Sequence, residues 1–202
     1  MVPRRLIGAA LALFCCVAHR AAAAEAGAAA PAVVELRDGT AGVQLGPSCL
    51  VYEQRPGAAP PPSLGFKPDP ALFRPARGSS ALDLGYTRSA LWLCFTVRSV
   101  ASARSWLLSV GPQDLDAATL YLVSADGSAE VQSAGLAELG GRDRKVSSEF
   151  VFRLTLAPGE VRTAYLRLAS EGRLRPVARL WDSFAYVRAG EADVVGGIPQ
   201  RQ

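Results

Sequence analysis

The chain has 202 residues, of which 50% are hydrophobic, 20% charged and 7% aromatic, and its formal net charge is +4. This length suits one domain with a buried core and is short for two. The single histidine is His19, close to the N-terminus. If the first residues are removed on export, the remaining chain contains no histidine, which excludes histidine-based catalytic triads, general bases and metal sites.

The N-terminal segment has the three parts of a secretory signal peptide. Arg4 and Arg5 form a basic start, residues 6–18 form an apolar run, and residues 21–24 are alanines suited to signal peptidase. A membrane anchor needs roughly 20 apolar residues, and this run ends sooner, at His19. We expect cleavage of residues 1–24 and export to the periplasm, with an uncleaved anchor as the alternative. No later segment of the chain is apolar enough to span a membrane.

Cleavage would bring the chain close to neutrality. Loss of Arg4, Arg5 and Arg20 would leave 19 basic residues against 18 acidic ones. The remaining basic residues are dispersed among acidic ones, so the chain lacks the basic patch that nucleic-acid binding requires. We therefore expect no nucleic-acid partner.

The rest of the chain has the pattern of a β-protein. An alanine-rich tail (residues 25–32) precedes it. Residues 56–70 contain six prolines and predict an extended surface connection. No window of the sequence keeps the period of 3.6 residues that a helix requires. The predicted strands are residues 32–37, 43–45, 49–52, 90–98, 105–110, 118–123, 129–132, 149–156, 162–169 and 177–181. Many short strands without intervening helices predict an all-β, antiparallel sandwich or jelly roll, followed by a polar C-terminal tail (residues 188–202).

Alternation along the strands separates two faces. One set of alternating positions is apolar and predicts the core: Leu91, Leu93, Phe95, Val97, Leu120, Leu122, Phe150, Phe152, Leu154, Leu166 and Leu168. The other set mixes aromatic rings and arginines: Trp92, Cys94, Tyr121, Arg153, Tyr165 and Arg167. The second set fits a solvated outer face with cross-strand pairs, or a platform where rings stack on a ligand and arginines bind its polar groups.

Catalytic constellations are weak in this sequence. Asp114 and Asp116 flank Leu115 in a predicted loop, but a calcium site needs more ligands and a glycosidase needs separated carboxylates in a pocket. Residues 140–145 lack the order of a phosphate-binding loop. We expect no enzyme activity, no metal and no cofactor, although a hydrolase built on Asp or Glu stays open.

Several segments, in order and spacing, resemble one family. They are residues 84–93, 106–110, 120–127, 150–156, 158–160, 165–168 and 180–181. The chain resembles, over residues 33–187, the type-two extracellular sensor domain of bacterial seven-transmembrane receptors with diverse intracellular signalling modules (7TMR-DISM). The resemblance implies a jelly-roll β-sandwich similar to carbohydrate-binding modules. Such receptors continue into seven helices and an output module, so a chain ending at Gln202 is expected to be a truncated receptor or a free-standing exported domain.

Two cysteines stand within the predicted sandwich. The resemblance implies an arginine at the strand position of Cys94, so this residue departs from the family. In an oxidising compartment its possible partner in the mature chain is Cys49. The pair is either bridged by a disulfide or present as two free thiols.

The sequence thus predicts a non-enzymatic, exported input domain of a signal-transduction receptor. We expect it to bind a small molecule such as a sugar or a carboxylated compound. Trp92, Tyr121 and Tyr165 are the candidate stacking residues, and Arg153 and Arg167 are the candidate charged groups. The alternative is a periplasmic protein–protein interaction module, because the same residue types are typical of interface hot spots.

Overall fold

The computed structural model describes residues 30–58, 70–76, 82–102, 105–111, 115–135 and 149–196. In these ranges the chain forms two packed β-sheets, a small two-stranded sheet and a C-terminal helix. The elements are β1 (Val33–Leu36), β2 (Val43–Gln44), β3 (Leu50–Gln54), β4 (Arg74–Pro75), β5 (Gly85–Tyr86), β6 (Ala90–Ser99), β7 (Ser105–Gly111), β8 (Ala117–Val123), β9 (Ala129–Gly135), β10 (Phe150–Thr155), β11 (Val161–Ala169), β12 (Arg173–Leu174), β13 (Val177–Asp182) and α1 (Ser183–Gly196). Two 3-10 helices, Gly46–Ser48 and Pro70–Leu72, precede β3 and β4.

The seven-stranded sheet has the order β4-β3-β6-β11-β8-β9, and β1 pairs in parallel with the second half of β6. The four-stranded sheet has the order β10-β7-β13-β2. The chain crosses between the two sheets repeatedly, from β6 to β7 to β8 and from β9 to β10 to β11. The all-β, antiparallel sandwich expected from the strand pattern is therefore confirmed.

The core lies between the two sheets, where the alternating apolar positions meet. Leu93, Leu166 and Leu120 lie side by side on β6, β11 and β8, and all three are buried. Phe152 and Leu154 approach them from the four-stranded sheet. Each fully buried side chain of this size contributes roughly 1.5–3 kcal/mol, so the inward positions stabilise the packing of the two sheets.

The edge where β9 and β10 meet is closed by a side chain. The Gln132 amide nitrogen donates to the carbonyl oxygen of Arg153 (2.6 Å), and the Arg153 backbone N–H donates to the Gln132 side-chain oxygen (3.2 Å). A glutamine on one sheet thus satisfies both backbone groups of a residue on the other sheet. This contact holds the two edges together.

The helix α1 is a correction, because the sequence pattern predicts no helix. The side-chain Oδ1 of Asp182 accepts hydrogen bonds from the backbone N–H groups of Phe184 (2.9 Å) and Ala185 (3.2 Å), which caps the helix start. Phe184 and Val187 are exposed, so the apolar residues do not follow one buried stripe and leave no clear period in the sequence. The helix continues through the first part of the predicted polar tail.

Some predictions fall on residues that the structure does not describe. The signal peptide (residues 1–24), the loop at residues 140–145 and most of the proline-rich connection lie outside the described ranges. Within those ranges, no helix combines the length and the hydropathy of a membrane span.

Candidate ligand-binding face

Five aromatic side chains gather on the outer face of the seven-stranded sheet: Tyr52, Phe73, Trp92, Tyr121 and Tyr165. We call this surface, together with Arg167, the aromatic face. It results from strand register, because residues directly opposite each other on neighbouring strands share one side of the sheet.

The register places the aromatic face in two adjacent rows. In one row, Tyr165 lies opposite Tyr121 on β8 and opposite Cys94 on β6. In the next row, Arg167 lies between Thr119 on β8 and Trp92 on β6, and Trp92 lies opposite Tyr52 on β3. The long strand β11 thus supplies the centre of both rows.

The rings pack against one another in defined geometries. Trp92 and Tyr121 are stacked, with ring centroids 5.7 Å apart and ring planes at 28°. Phe73 meets Tyr165 edge to face at 5.9 Å, and Tyr52 lies 5.8 Å from Phe73 at 54°. Both arrangements are the ones that aromatic quadrupoles favour, at roughly 0.5–1.5 kcal/mol per pair beyond burial. The face is therefore a fixed arrangement of rings.

Trp92 is the support of this face. Its side chain is 1% exposed, and its indole N–H donates to the side-chain oxygen of Gln54 (2.9 Å), which is itself buried. A ligand approaching this face would meet the half-buried Tyr121, with Trp92 stacked against that ring. Direct stacking of a ligand on Trp92 stays a prediction, and in this structure the ring is covered.

Arg153 lies elsewhere. It belongs to β10, is exposed, and stands opposite Leu107 on the outer face of the four-stranded sheet. The structure therefore brings together Trp92, Tyr121, Tyr165 and Arg167, and places Arg153 on the other side of the sandwich.

Cys49 and Cys94 are both free and buried. Cys49 packs in the core between the sheets, whereas Cys94 packs in the aromatic face, so the two side chains lie on opposite sides of the seven-stranded sheet. Of the two alternatives that the sequence left open, the structure has the free thiols.

Burial is the main cause of the raised pKa values of Cys49, Cys94 and Tyr165. It raises the pKa of Cys49 to about 12, with a smaller contribution from Cys94, and it raises the pKa of Cys94 to about 11. A hydrogen bond with Tyr165 partly offsets the second shift. The pKa of Tyr165 rises to about 12, chiefly through burial and then through Cys94. At neutral pH both thiols and this phenol are therefore protonated and uncharged.

Tyr52 and Phe73 are members of the face that the sequence analysis missed. Tyr52 ends a predicted strand, and the alternation of inward and outward positions along that strand was the signal that could have placed it on this face. Phe73 follows the 3-10 helix Pro70–Leu72 and precedes β4, a two-residue strand that pairs with β3. So short an element leaves no alternation in the sequence, and only the tertiary contact with Tyr165 reveals its place.

The chemistry available on this face is stacking, hydrogen bonding and one positive charge. In the described part of the chain, no three His, Cys, Asp or Glu side chains are grouped in a way that could hold a metal ion. Rings with polar edges beside a guanidinium suit the binding of a small polar molecule.

The fold defines a class of protein, a β-sandwich of two packed sheets with a cluster of aromatic rings on the outer face of one sheet. The chain matches the family described as 7TMR-DISM extracellular 2 over residues 62–182, and it belongs to that family. The resemblance that the sequence motifs carried is thereby confirmed. The chain is thus an extracellular sensor-type domain of 7TMR-DISM receptors.

Comparison with curated proteins finds no match. Among solved structures, the chain is similar to the crystal structure of the enzymatically active domain of tailspike protein 4 from bacteriophage CBA120, with 12% sequence identity and a TM-score of 0.36. The similarity covers 66% of this chain and 19% of the tailspike chain. It therefore spans about a fifth of that protein's length.

Proposed function

We propose that this domain is the periplasmic, ligand-binding input of a signalling receptor and that a small molecule such as a carbohydrate binds at the aromatic face. In this proposal residues 1–24 are a cleaved signal peptide. The domain binds its ligand without converting it, since the face offers rings, hydroxyls and a guanidinium but no pair of carboxylates among the described residues.

One observation carries this proposal: half-buried tyrosines pack against buried rings. Tyr121 stacks on Trp92, and Tyr165 packs against Phe73, which is 7% exposed. The buried rings cannot rotate freely, so the tyrosines that a ligand touches are held in place before binding. Such preorganisation reduces the entropy lost on binding. A flat sugar face stacks well on such rings, and its hydroxyls reach polar groups at the ring edges.

The chain also offers a route from the site to the receptor. Strand β11 carries Tyr165 and Arg167, and it leads through β12 and β13 directly into α1. The proposal is that ligand binding shifts the populations of two arrangements of the sandwich relative to the rest of a receptor. Arg153 takes no part in this site.

The test is a thermal-shift screen of the mature domain with neutral sugars, amino acids and organic acids. A ligand at 100 times its Kd stabilises the folded state by about 2.7 kcal/mol, which the melting temperature reports. Tyr121→Ala should weaken a hit about tenfold, because it removes the stacking ring. The matched control is Tyr86→Ala, since Tyr86 is 86% exposed and belongs to the small two-stranded sheet rather than to the seven-stranded sheet.

The alternative is a protein–protein interaction module. If no small molecule binds and a periplasmic protein is captured in a manner that Tyr121→Ala abolishes, the aromatic face is a protein interface. If Tyr86→Ala weakens a small-molecule hit as much as Tyr121→Ala does, the site lies elsewhere.

A further inference from the structure

Arg167, on the aromatic face, differs from the other partly buried arginines in its ion pairing. Among the arginines that the structure describes, three are partly buried: Arg162, Arg167 and Arg179. Arg162 pairs with Glu160 (2.5 Å) and Glu130 (3.6 Å), and Arg179 pairs with Glu149 (3.7 Å). Arg167 has no carboxylate within ion-pair distance in the described ranges, nor a hydrogen bond from its guanidinium there.

The positive charge of Arg167 is therefore not balanced by any carboxylate in the described ranges. The fixed neighbours of Arg167 do not supply the missing charge. Thr119 and Trp92 flank it across the sheet, and Tyr165 stands two residues before it on the same side. These neighbours are neutral at physiological pH, and the pKa of Tyr165 is raised. An anionic group from outside would therefore be favourable at this position.

From this we infer that Arg167 receives the carboxylate of a ring-bearing ligand, so that the ligand class is an acidic sugar of the uronate type. The inference rests on the proposed function, because it assumes binding at the aromatic face. The planar guanidinium binds a carboxylate through two parallel hydrogen bonds. Tyr165 and Arg167 are separated by about 7 Å along the strand, so one sugar ring can contact the tyrosine while its carboxylate meets the guanidinium.

A carboxylate fits better than a phosphate. The two rows that contain Tyr165 and Arg167 hold no second arginine or lysine among the paired residues of β3, β6, β8, β9 and β11. A single guanidinium balances a single negative charge, whereas a phosphate group brings more charge and usually meets several donors.

The experiment compares galacturonate oligomers with the matching neutral galactose oligomers by isothermal titration calorimetry on the mature domain. We expect the acidic sugar to bind at least tenfold tighter than the neutral one. Arg167→Gln should abolish that preference, because it removes the group that distinguishes the acidic sugar from the neutral one. Arg167→Lys should retain part of the preference, since it keeps the charge and loses the paired geometry.

The matched control is Arg98→Gln. Arg98 lies on the same side of the same sheet, on β6, but about 20 Å along the strands from Arg167. It is exposed, so its loss should change neither affinity. The urea midpoint of Arg167→Gln should match that of the unmodified domain, which separates loss of binding from loss of folding.

The failures of the two proposals are distinguishable. If the neutral and acidic sugars bind equally tightly, and Tyr121→Ala weakens both, the uronate inference is overturned and the aromatic face stands. If a sugar phosphate binds tighter than the uronate in an Arg167-dependent way, the choice of a carboxylate is wrong. If neither sugar binds, the uronate inference is overturned, and if no compound of the thermal-shift screen binds in a Tyr121-dependent way, the proposed function itself fails.

Discussion

The two outer faces of the sandwich have similar residues and different pairing. The outer face of the four-stranded sheet, which we call the opposite face, carries Trp181 and Arg179. The indole N–H of Trp181 donates to Ser109 Oγ (3.0 Å), and its ring meets Tyr186 edge to face at 5.8 Å. Arg179 pairs with Glu149. The polar groups of this tryptophan and this arginine are therefore satisfied within the protein.

On the aromatic face the tryptophan is again satisfied, but the arginine is not. Trp92 donates to Gln54, whereas Arg167 has no carboxylate within ion-pair distance in the described part of the chain. On the four-stranded sheet, the neighbouring tryptophan and arginine both make contacts within the protein. On the seven-stranded sheet, the arginine beside the tryptophan has no carboxylate partner among the described residues. The difference shows that the same two residue types can be paired on one sheet and differently satisfied on the other, so residue types alone do not identify a binding face.

The largest expected effect is on stability, and it distinguishes the buried supporting ring, Trp92, from the half-buried ring that a ligand would contact, Tyr121. Trp92→Ala should lower the free energy of unfolding by about 3–5 kcal/mol, because it removes a fully buried ring and leaves a cavity. Urea denaturation measures this change. Tyr121→Ala, at a half-buried ring, should cost less than half as much. Equal losses for the two variants would contradict the assignment of Trp92 as the buried support.

The second effect concerns the buried groups on and beneath the aromatic face. The folded-state pKa values of Cys49, Cys94 and Tyr165 are raised, so the folded state holds these protons more tightly than the unfolded chain. Their contribution to stability is complete below about pH 8.5 and is lost as the pH rises toward 11–12. We expect the free energy of unfolding to fall over that range.

The check is urea unfolding at pH 8 and pH 10.5, with Cys94→Ala as the comparison variant. Removing this thiol should flatten the alkaline decline. A native domain that reacts rapidly with a thiol reagent at pH 8 would contradict the burial of both thiols, and denaturation should release two reactive thiols.

A smaller effect tests how the opposite face holds Trp181. Gly42 has φ +63°, and a Cβ there would lie 2.7 Å from the Trp181 ring. Gly42→Ala should therefore cost about 2 kcal/mol, from backbone strain and from displacement of the indole. Gly39→Ala is the matched control, because Gly39 has φ +76° and nothing within 4 Å of its Cβ position. Thermal unfolding should show the larger loss for Gly42→Ala, together with a change in tryptophan fluorescence.

The smallest effect compares the two arginines directly. Arg179→Gln removes an ion pair with Glu149 at the protein surface and should cost about 0.5 kcal/mol, an amount that high salt reduces. Arg167→Gln removes no pair and should leave the stability unchanged or slightly higher. If Arg167→Gln proves the more destabilising of the two, the guanidinium has a structural role and the contrast between the faces disappears.

The sequence was informative wherever a local pattern carried the signal. Strand alternation placed Leu93, Leu120 and Phe152 in the core, and each is buried. Ordered motifs indicated the family, which the match over residues 62–182 confirms. The two-residue strands β4, β5 and β12 were missed because so few residues hold no alternation, whereas β2 lies within the predicted strand at residues 43–45. The helix α1 was missed because its apolar residues follow no single face.

By itself, then, the sequence determined the fold class, the family and which side of each strand is buried. Alternation has a period of two, so it separates inward from outward positions but does not say to which sheet a strand belongs. Arg153 and Arg167 share the same outward parity, yet strand pairing sends them to opposite sides of the sandwich. The tertiary structure alone decided that Trp92 is covered, that the two cysteines point to different sides of one sheet, and that Arg167 keeps an unbalanced charge within the described ranges. Each of these depends on contacts between residues distant in the sequence, and no local pattern encodes them.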